Sequence, residues 1–244
     1  IIKVIEFPTI NKLYFNNNER LKDDDLKIIA SAIDLKIFNQ NSINIFMNDI
    51  KKAYVSFGYN NVNIKYSEKL NEDTNTVDIY FDINEGSITK INKIIVNGNK
   101  SLLDQEIKEI ISSKTKTIRN LFANNNFKPS SIEKDKILIT NYYRNIGYID
   151  IKVEVKIEYL KTNKVNIYYN IIEGDVYLLS SIKVLDKNSI LNNSITNLIN
   201  SEINNYQKKE TIFSVQQIQD IRQKISSIII DSGNEFFDIK TSDK

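Results

Sequence analysis

The chain has 244 residues, 41% hydrophobic and 26% charged, ordinary values for a globular protein with length enough for two or three small cores. Its 33 Lys and Arg against 31 Asp and Glu leave a net charge of +2, without the concentrated basic face that a dedicated nucleic-acid binder uses to displace counterions. It has no His and no Cys, which removes Ser–His and Cys–His nucleophile pairs, histidine acid–base chemistry, thiolates and zinc clusters, so no catalytic centre, metal or cofactor is expected.

Ile1 to Phe7 reads as a short strand stopped by Pro8. Leu13-Tyr14-Phe15 is another, followed by a turn at Asn16-Asn17-Asn18. Leu26, Ile29, Ala30 and Ile33, spaced i, i+3, i+4, i+7, predict a helix with Asp23, Asp24 and Asp25 at its positive end, a capping and dipole feature far more often than a cation site. Ser42, a good N-cap, predicts a second helix with Ile43, Phe46, Met47, Ile50, Ala53, Tyr54 and Phe57 on one stripe, ended by Gly58. Val62, Ile64 and Tyr66 alternate as a strand, a polar turn spans Asn71 to Asn75, and Val77, Ile79, Phe81 and Ile83 alternate as the return strand, closed by Glu85-Gly86.

The same order then restarts. Ile91, Ile94, Ile95 and Val96 predict a strand and Asn97-Gly98-Asn99 a turn. A helix carries Leu103, Ile107, Ile110 and Ile111, with Ser101 and Asp104 in capping-box spacing. An insertion from Thr117 to Phe127 is expected to pack down through Ile118, Leu121, Phe122 and Phe127. The next helix is expected to begin after Pro129, with Ser130 and Glu133 in box spacing, to carry Leu138, Ile139, Tyr142, Tyr143 and Ile146, and to stop at Gly147; Tyr142 and Tyr143 read as core. From Gly147 to Tyr159 the chain alternates without a slip: Ile149, Ile151, Val153, Val155, Ile157 and Tyr159 on one face, Asp150, Lys152, Glu154, Lys156 and Glu158 on the other. After a turn at Thr162-Asn163-Lys164, Val165, Ile167, Tyr169 and Ile171 return to Glu173-Gly174, completing a hairpin.

A third pass gives a strand at Leu178 to Leu185, a helix with Leu191, Ile195, Leu198 and Ile199, a second helix from Ser214 with Gln217 in box spacing and Ile218, Ile221, Ile225, Ile228 and Ile229 inward, Gly233, and the start of a strand at Glu235 to Lys240. Spacings of 89 residues from Gly58 to Gly147, 88 from Gly86 to Gly174 and 86 from Gly147 to Gly233 make each unit a small domain rather than a solenoid turn. The connections Glu85-Gly86-Ser87 and Glu173-Gly174-Asp175 are so short that neighbours must touch.

Asn97-Gly98-Asn99, Tyr143 with Gly147-Tyr148, and Ile172-Glu173-Gly174, matched in the first unit by Tyr54, Gly58-Tyr59 and Asn84-Glu85-Gly86, resemble a tandem of POTRA domains of the kind outer-membrane assembly factors carry. The first unit departs at Asn16-Asn17-Asn18, where the usual Gly is missing, and the third at Ser232-Gly233-Asn234, where the aromatic is lost. The resemblance implies an α+β fold of β-α-α-β-β repeats, each with two helices on a three-stranded mixed sheet. It implies a remnant last strand at 1–8, the second domain of an array at 9–86, the third at 87–175, and a fourth at 176–244 lacking its last strand. It also implies a non-enzymatic periplasmic scaffold at the outer membrane, with unfolded outer-membrane proteins and periplasmic lipoproteins as partners, a C-terminal membrane barrel outside this fragment, and no nucleic acid.

In that family the last strand lies in the middle of the sheet, so an incoming extended chain can pair with an edge. The candidate docking residues are Ile151, Lys152, Val153, Glu154, Val155, Lys156 and Ile157, and second Val62, Ile64 and Tyr66. The plainer reading stands beside this: alternating strands are usually half-buried sheet, and Lys152, Glu154 and Lys156 also fit protection of an edge against aggregation. The orphan strand Ile1 to Phe7 suggests head-to-tail self-association by filling the sheet of a neighbouring molecule's last unit. Competing classes are a two-partner-secretion transporter, a nucleic-acid-binding α+β domain, which would need a GXXG loop or an aromatic RNP motif, and an enzyme using carboxylates alone, which would need an apolar pocket to shift a pKa.

Overall fold

The structure is a computed structural model and describes residues 6–117, 122–186, 191–207, 211–233 and 237–241. The first repeat runs β1 (Thr9–Asn16), α1 (Asp23–Ala32), α2 (Gln40–Ser56), β2 (Asn63–Asn71) and β3 (Thr76–Asn84). Strand order is β1-β3-β2, with β1 parallel and β2 antiparallel to the central β3. The helix stripes and the alternating β3 residues meet in one core: Leu26, Ile43, Phe46, Ile50, Tyr54, Ile79, Phe81 and Ile83 are all fully buried. Burying each such side chain contributes on the order of 1.5–3 kcal/mol.

Asn39, not Ser42, caps α2: its Oδ1 accepts the Ser42 N–H at 2.8 Å, so Ser42 sits inside the first turn. The turn that lacks glycine solves the same problem with Asn17, which adopts φ +63°, a left-handed conformation that Asn tolerates better than most residues. Its counterpart is Gly98 at φ +82°.

The second repeat follows the same order: β4 (Lys90–Asn97), α3 (Asp104–Ile110), α4 (Pro129–Asn145), β5 (Lys152–Leu160) and β6 (Lys164–Ile172), with sheet order β4-β6-β5. Val165, Ile167, Tyr169, Ile139 and Tyr143 are buried, but Tyr142, expected in the core, is 36% exposed. Ser101 and Asp104 form no capping box. The Leu103 N–H donates to Glu106 Oε2 at 2.6 Å instead, while Asp104 accepts from Asn99 and Ser101 bonds Glu173. α4 starts at Pro129, a residue suited to the first helical position because it has no N–H to leave unpaired, so Ser130 lies within the helix. Of the insertion, Phe127 is buried and Phe122 is fully exposed; Ile118 and Leu121 lie outside the described residues. The unbroken alternation over-extends β5, which begins at Lys152. Ile149 and Asp150 belong to a turn in which the Asp150 carboxylate accepts the Tyr177 hydroxyl at 2.7 Å.

The chain packs as two compact units, one of 1–95, 111–135 and 155–168, the other of 96–110, 136–154 and 169–244. Each contains a joint built the same way. In the first unit the Thr89 N–H donates to the Gly58 carbonyl at 2.9 Å and the Phe127 N–H to the Thr89 carbonyl at 2.8 Å. In the second the Tyr177 N–H donates to the Gly147 carbonyl and the Phe213 N–H to the Tyr177 carbonyl, both at 2.9 Å. Glycine suits position 147, because at φ +97° a Cβ would lie 2.6 Å from Ile212 Cγ2, which would have to shift.

Beyond Gly174, α5 (Asn193–Gln207) and α6 (Val215–Asp231) close a core of Ile195, Ile199, Ile203, Ile221, Ile225 and Ile229. Ser214 caps α6, accepting the Gln217 N–H at 3.3 Å as its spacing predicts, whereas Leu198 is exposed. The strand expected over Leu178 to Leu185 shrinks to β7 (Leu178–Leu179), paired with β8 (Thr211–Ile212). A strand persists only where its backbone groups find partners, and among the described residues Ser180 to Asp186 have no ladder. Phe237 to Lys240 likewise form no strand, nor do Glu6 and Phe7; Ile1 to Ile5, Glu235 and Phe236 lie outside the described residues.

Candidate strand-docking edges

With β3 and β6 central, each repeat has two edges. The first-strand edge is closed at its start by the connection between the two helices. Thr9 bridges Ile37, the Ile10 N–H donates to the Lys36 carbonyl at 2.7 Å, and the Phe38 N–H to the Pro8 carbonyl at 2.9 Å. Lys90 bridges Asn126, the Ile91 N–H donates to the Asn125 carbonyl at 2.7 Å, and the Asn125 amide returns a bond to the Ile91 carbonyl. β7 and β8 make the equivalent pair beyond Gly174.

The second-strand edges, β2 and β5, carry no further strand among the described residues. Every second residue of such an edge turns its N–H and C=O away from the sheet. On β5, Lys152, Glu154 and Lys156 are exposed and Val153, Val155 and Ile157 half-buried, while Ile151 is buried and precedes the strand. Tyr159, expected on the dry face, is 69% exposed, its ring edge-on to Phe127 at 6.2 Å between centroids. The Glu158 carboxyl is held below its usual range by the Asn166 amide and the Tyr168 hydroxyl.

On β2, Ile64 is buried, Tyr66 is half-buried with its hydroxyl donating to Gln40 Oε1 at 2.9 Å, and Val62 lies one residue before the strand. The strand runs five residues beyond Tyr66. Sequence reasoning missed Ser67 to Asn71 because Glu68 breaks the apolar alternation; the Asn71 to Asn75 turn was the signal that the strand had to reach it. Its solvent face is polar across the sheet: Lys65 opposes Asp82, which accepts from Asn17 at 2.7 Å, and Lys69 opposes Asp78, which accepts from Asn11 at 2.8 Å. Among the described residues no acidic cluster could hold a metal ion, and no helix is long and apolar enough to cross a membrane.

The POTRA family profile, described as surface antigen variable number repeat, matches residues 8–86 and 89–174. The chain is 27% identical over 190 residues to a putative outer membrane protein assembly factor of Treponema pallidum, covering 75% of this chain and 22% of that protein. It is 29% identical over 158 residues to the outer membrane protein assembly factor BamA of Neisseria meningitidis, covering 63% and 20%. The chain thus spans about a fifth of the length of these relatives. Among solved structures it is similar to Haemophilus influenzae BamA POTRA3-5, with a TM-score of 0.45, 19% identity, and coverage of 95% of this chain and 87% of that one.

Proposed function

The chain belongs to the POTRA family, and from that premise we propose that it is a non-enzymatic scaffold on the periplasmic side of an outer membrane, which holds unfolded outer-membrane proteins by adding their strands to the open edges of β2 and β5. One observation carries this: the helix connection occupies the start of the first-strand edge in both complete repeats, while the second-strand edges, each nine residues long, keep the outward backbone groups of every second residue free of a further strand among the described residues. Backbone pairing supplies affinity with little demand on sequence, which suits a holder of many different clients. The relatives' naming as assembly factors supports this setting, in which accessory lipoproteins also dock and a membrane barrel belongs to the whole protein. In this scheme 9–86 and 87–175 are complete repeats and 176–244 contributes to a further one.

The test is an amide NMR titration of the chain with a short peptide of alternating aromatic residues from a β-barrel strand. Shifts concentrated on Lys152–Leu160 or Asn63–Asn71 are expected. Shifts confined to helix surfaces at millimolar peptide would move the function to partner docking and leave the edges purely structural.

A further inference from the structure

The first repeat's open edge is not chemically neutral. Residues directly opposite in an antiparallel ladder share a face, so the pairs Ile64↔Ile83, Tyr66↔Phe81, Glu68↔Ile79 and Leu70↔Val77 put Ile64, Tyr66, Glu68 and Leu70 on the core side of β2. Ile83, Phe81, Ile79 and Val77 are buried there, yet Glu68 is exposed and Leu70 is 50% exposed. α2 covers Ile64 and Tyr66 but begins at Gln40, so the sheet's far corner is left open. A groove of about 300 Å³ lies in that corner, lined by Phe7, Pro8, Phe38, Leu70 and Val77 with Glu68 at its side. That is roughly ten waters' worth of space. The Glu68 carboxylate has no hydrogen-bond or ion-pair partner among the described residues.

We propose that this corner selects among the strands that β2 takes, by packing an apolar or aromatic side chain on Leu70, at the outer wall of the groove, and a Lys or Arg opposite Glu68. The inference rests on the strand-docking reading above and adds a sequence preference to it. An added strand continues each cross-strand row by one place, with the side chains of directly opposed residues about 5 Å apart. The residue beyond Leu70 therefore packs on Leu70, the outer wall of the groove, and the residue beyond Glu68, two places along, meets a carboxylate. Antiparallel addition, the more stable pairing, fixes the order as apolar-x-basic from the N-terminus. An all-apolar strand would desolvate Glu68 without a counter-charge, so the same residue that recruits a basic side chain turns other strands away. β5 has no such device: its half-buried row is Val153, Val155 and Ile157, without a charge.

The experiment uses the whole chain and two strand-length peptides that differ at one position, Phe-x-Lys and Phe-x-Glu, with affinity from fluorescence anisotropy and location from amide shifts. The Phe-x-Lys peptide is expected to bind Asn63–Asn71 about one-and-a-half- to five-fold more tightly, the range of one favourable cross-strand charge pair. Glu68→Lys, at an exposed and unpaired position, should keep the fold by circular dichroism and reverse the order; Leu70→Asp should weaken both peptides. Equal affinities with shifts on β2 would overturn the selectivity while leaving strand docking in place. Shifts on no sheet edge would overturn both.

Discussion

The Tyr54 hydroxyl donates to Glu85 Oε1 at 2.8 Å, and the same oxygen accepts the backbone N–H of Arg20 at 2.7 Å. In the second repeat Tyr143 and Glu173 repeat the arrangement at 3.0 Å, with the Ser101 N–H on the shared oxygen at 2.8 Å and the Ser101 hydroxyl on the other. One carboxylate thus ties together three places distant in sequence: the last turn of the second helix, the loop after the first strand, and the end of the central strand. Neighbouring aromatics complete it, Tyr59 edge-on to Tyr54 and Tyr148 edge-on to Tyr143. The Glu-Gly that ends each complete repeat is a clamp as well as a connection.

Removing the clamp's two halves should not cost the same. Tyr143→Phe loses one hydrogen bond to a charged acceptor and should cost about 1.5–3 kcal/mol. Glu173→Ala also strands the buried Tyr143 hydroxyl and the Ser101 N–H, adding about 1–3 kcal/mol for each group that water cannot reach. Urea unfolding of the two variants should therefore place Glu173→Ala below Tyr143→Phe; equal midpoints would mean the carboxylate holds only the tyrosine.

Much of the fold is legible in the sequence because its signals are local. Periodicity places α1, α2 and β3, and Glu-Gly marks where each complete repeat closes. The tyrosine of the clamp is legible only as an apolar-stripe residue, because its hydroxyl partner lies 31 residues away in Tyr54 and 30 in Tyr143. Caps are not legible where several polar residues compete within one turn: Asn39 wins over Ser42, and Leu103 with Glu106 over Ser101 with Asp104. The docking edges were visible as alternation, but alternation cannot say where the covering helix ends. Hence alternation marks β2 only as far as Tyr66 and does not show the uncovered corner with Glu68 and Leu70.

Acid should loosen the second repeat through its carboxylates. Burial works against charge on Glu173, but the Ser101 N–H and the Tyr143 and Ser101 hydroxyls outweigh it and hold its carboxyl below the usual range; Asn99 does the same for Asp104. A carboxyl whose folded pKa is depressed stabilises fully above its unfolded value, about 4.3 for Glu, and that stability is lost as pH falls through the folded value. Unfolding midpoints should therefore drop as the pH falls below about 5, less steeply in Glu173→Gln.

Alkali should act through the tyrosines. Burial first, then the bonded carboxylate, push the Tyr54 and Tyr143 phenols well above their ordinary value. The folded state then keeps protons that the unfolded chain gives up above about pH 10, so stability falls as pH rises from there. Tyr54→Phe and Tyr143→Phe should each flatten that fall in pH-dependent urea unfolding.

Turn chemistry gives a sharper contrast. Gly98 and Asn17 occupy equivalent left-handed positions, but a Cβ on Gly98 would collide with the Ile171 carbonyl oxygen. Gly98→Ala should cost more than about 2 kcal/mol, the left-handed penalty plus a displaced strand. Gly233→Ala, with nothing within 4 Å of the added Cβ, should cost about 1 kcal/mol. Thermal unfolding ranks them, and a larger loss at Gly233 would contradict the packing around Gly98.

The joint in the first unit turns on one hairpin residue. Asn163, at φ +53°, accepts from the Asn61 amide at 2.8 Å and the Thr89 hydroxyl at 3.0 Å, and donates to the Ser87 carbonyl at 2.8 Å and the Ser87 hydroxyl at 2.7 Å. It needs both a donor and an acceptor, so Asp cannot replace it: the Nδ2 that faces the Ser87 carbonyl would become an oxygen, setting two acceptors against each other. Asn163→Asp should therefore loosen the Ser87–Lys90 connection more than Asn163→Gly, which removes the bonds but relieves the left-handed backbone. Hydrogen exchange measures this directly. The Thr89 N–H, bonded to the Gly58 carbonyl, should exchange faster in Asn163→Asp while the β3 amides of the core stay protected. Unchanged protection at Thr89 would mean that the glycine contact alone holds the joint.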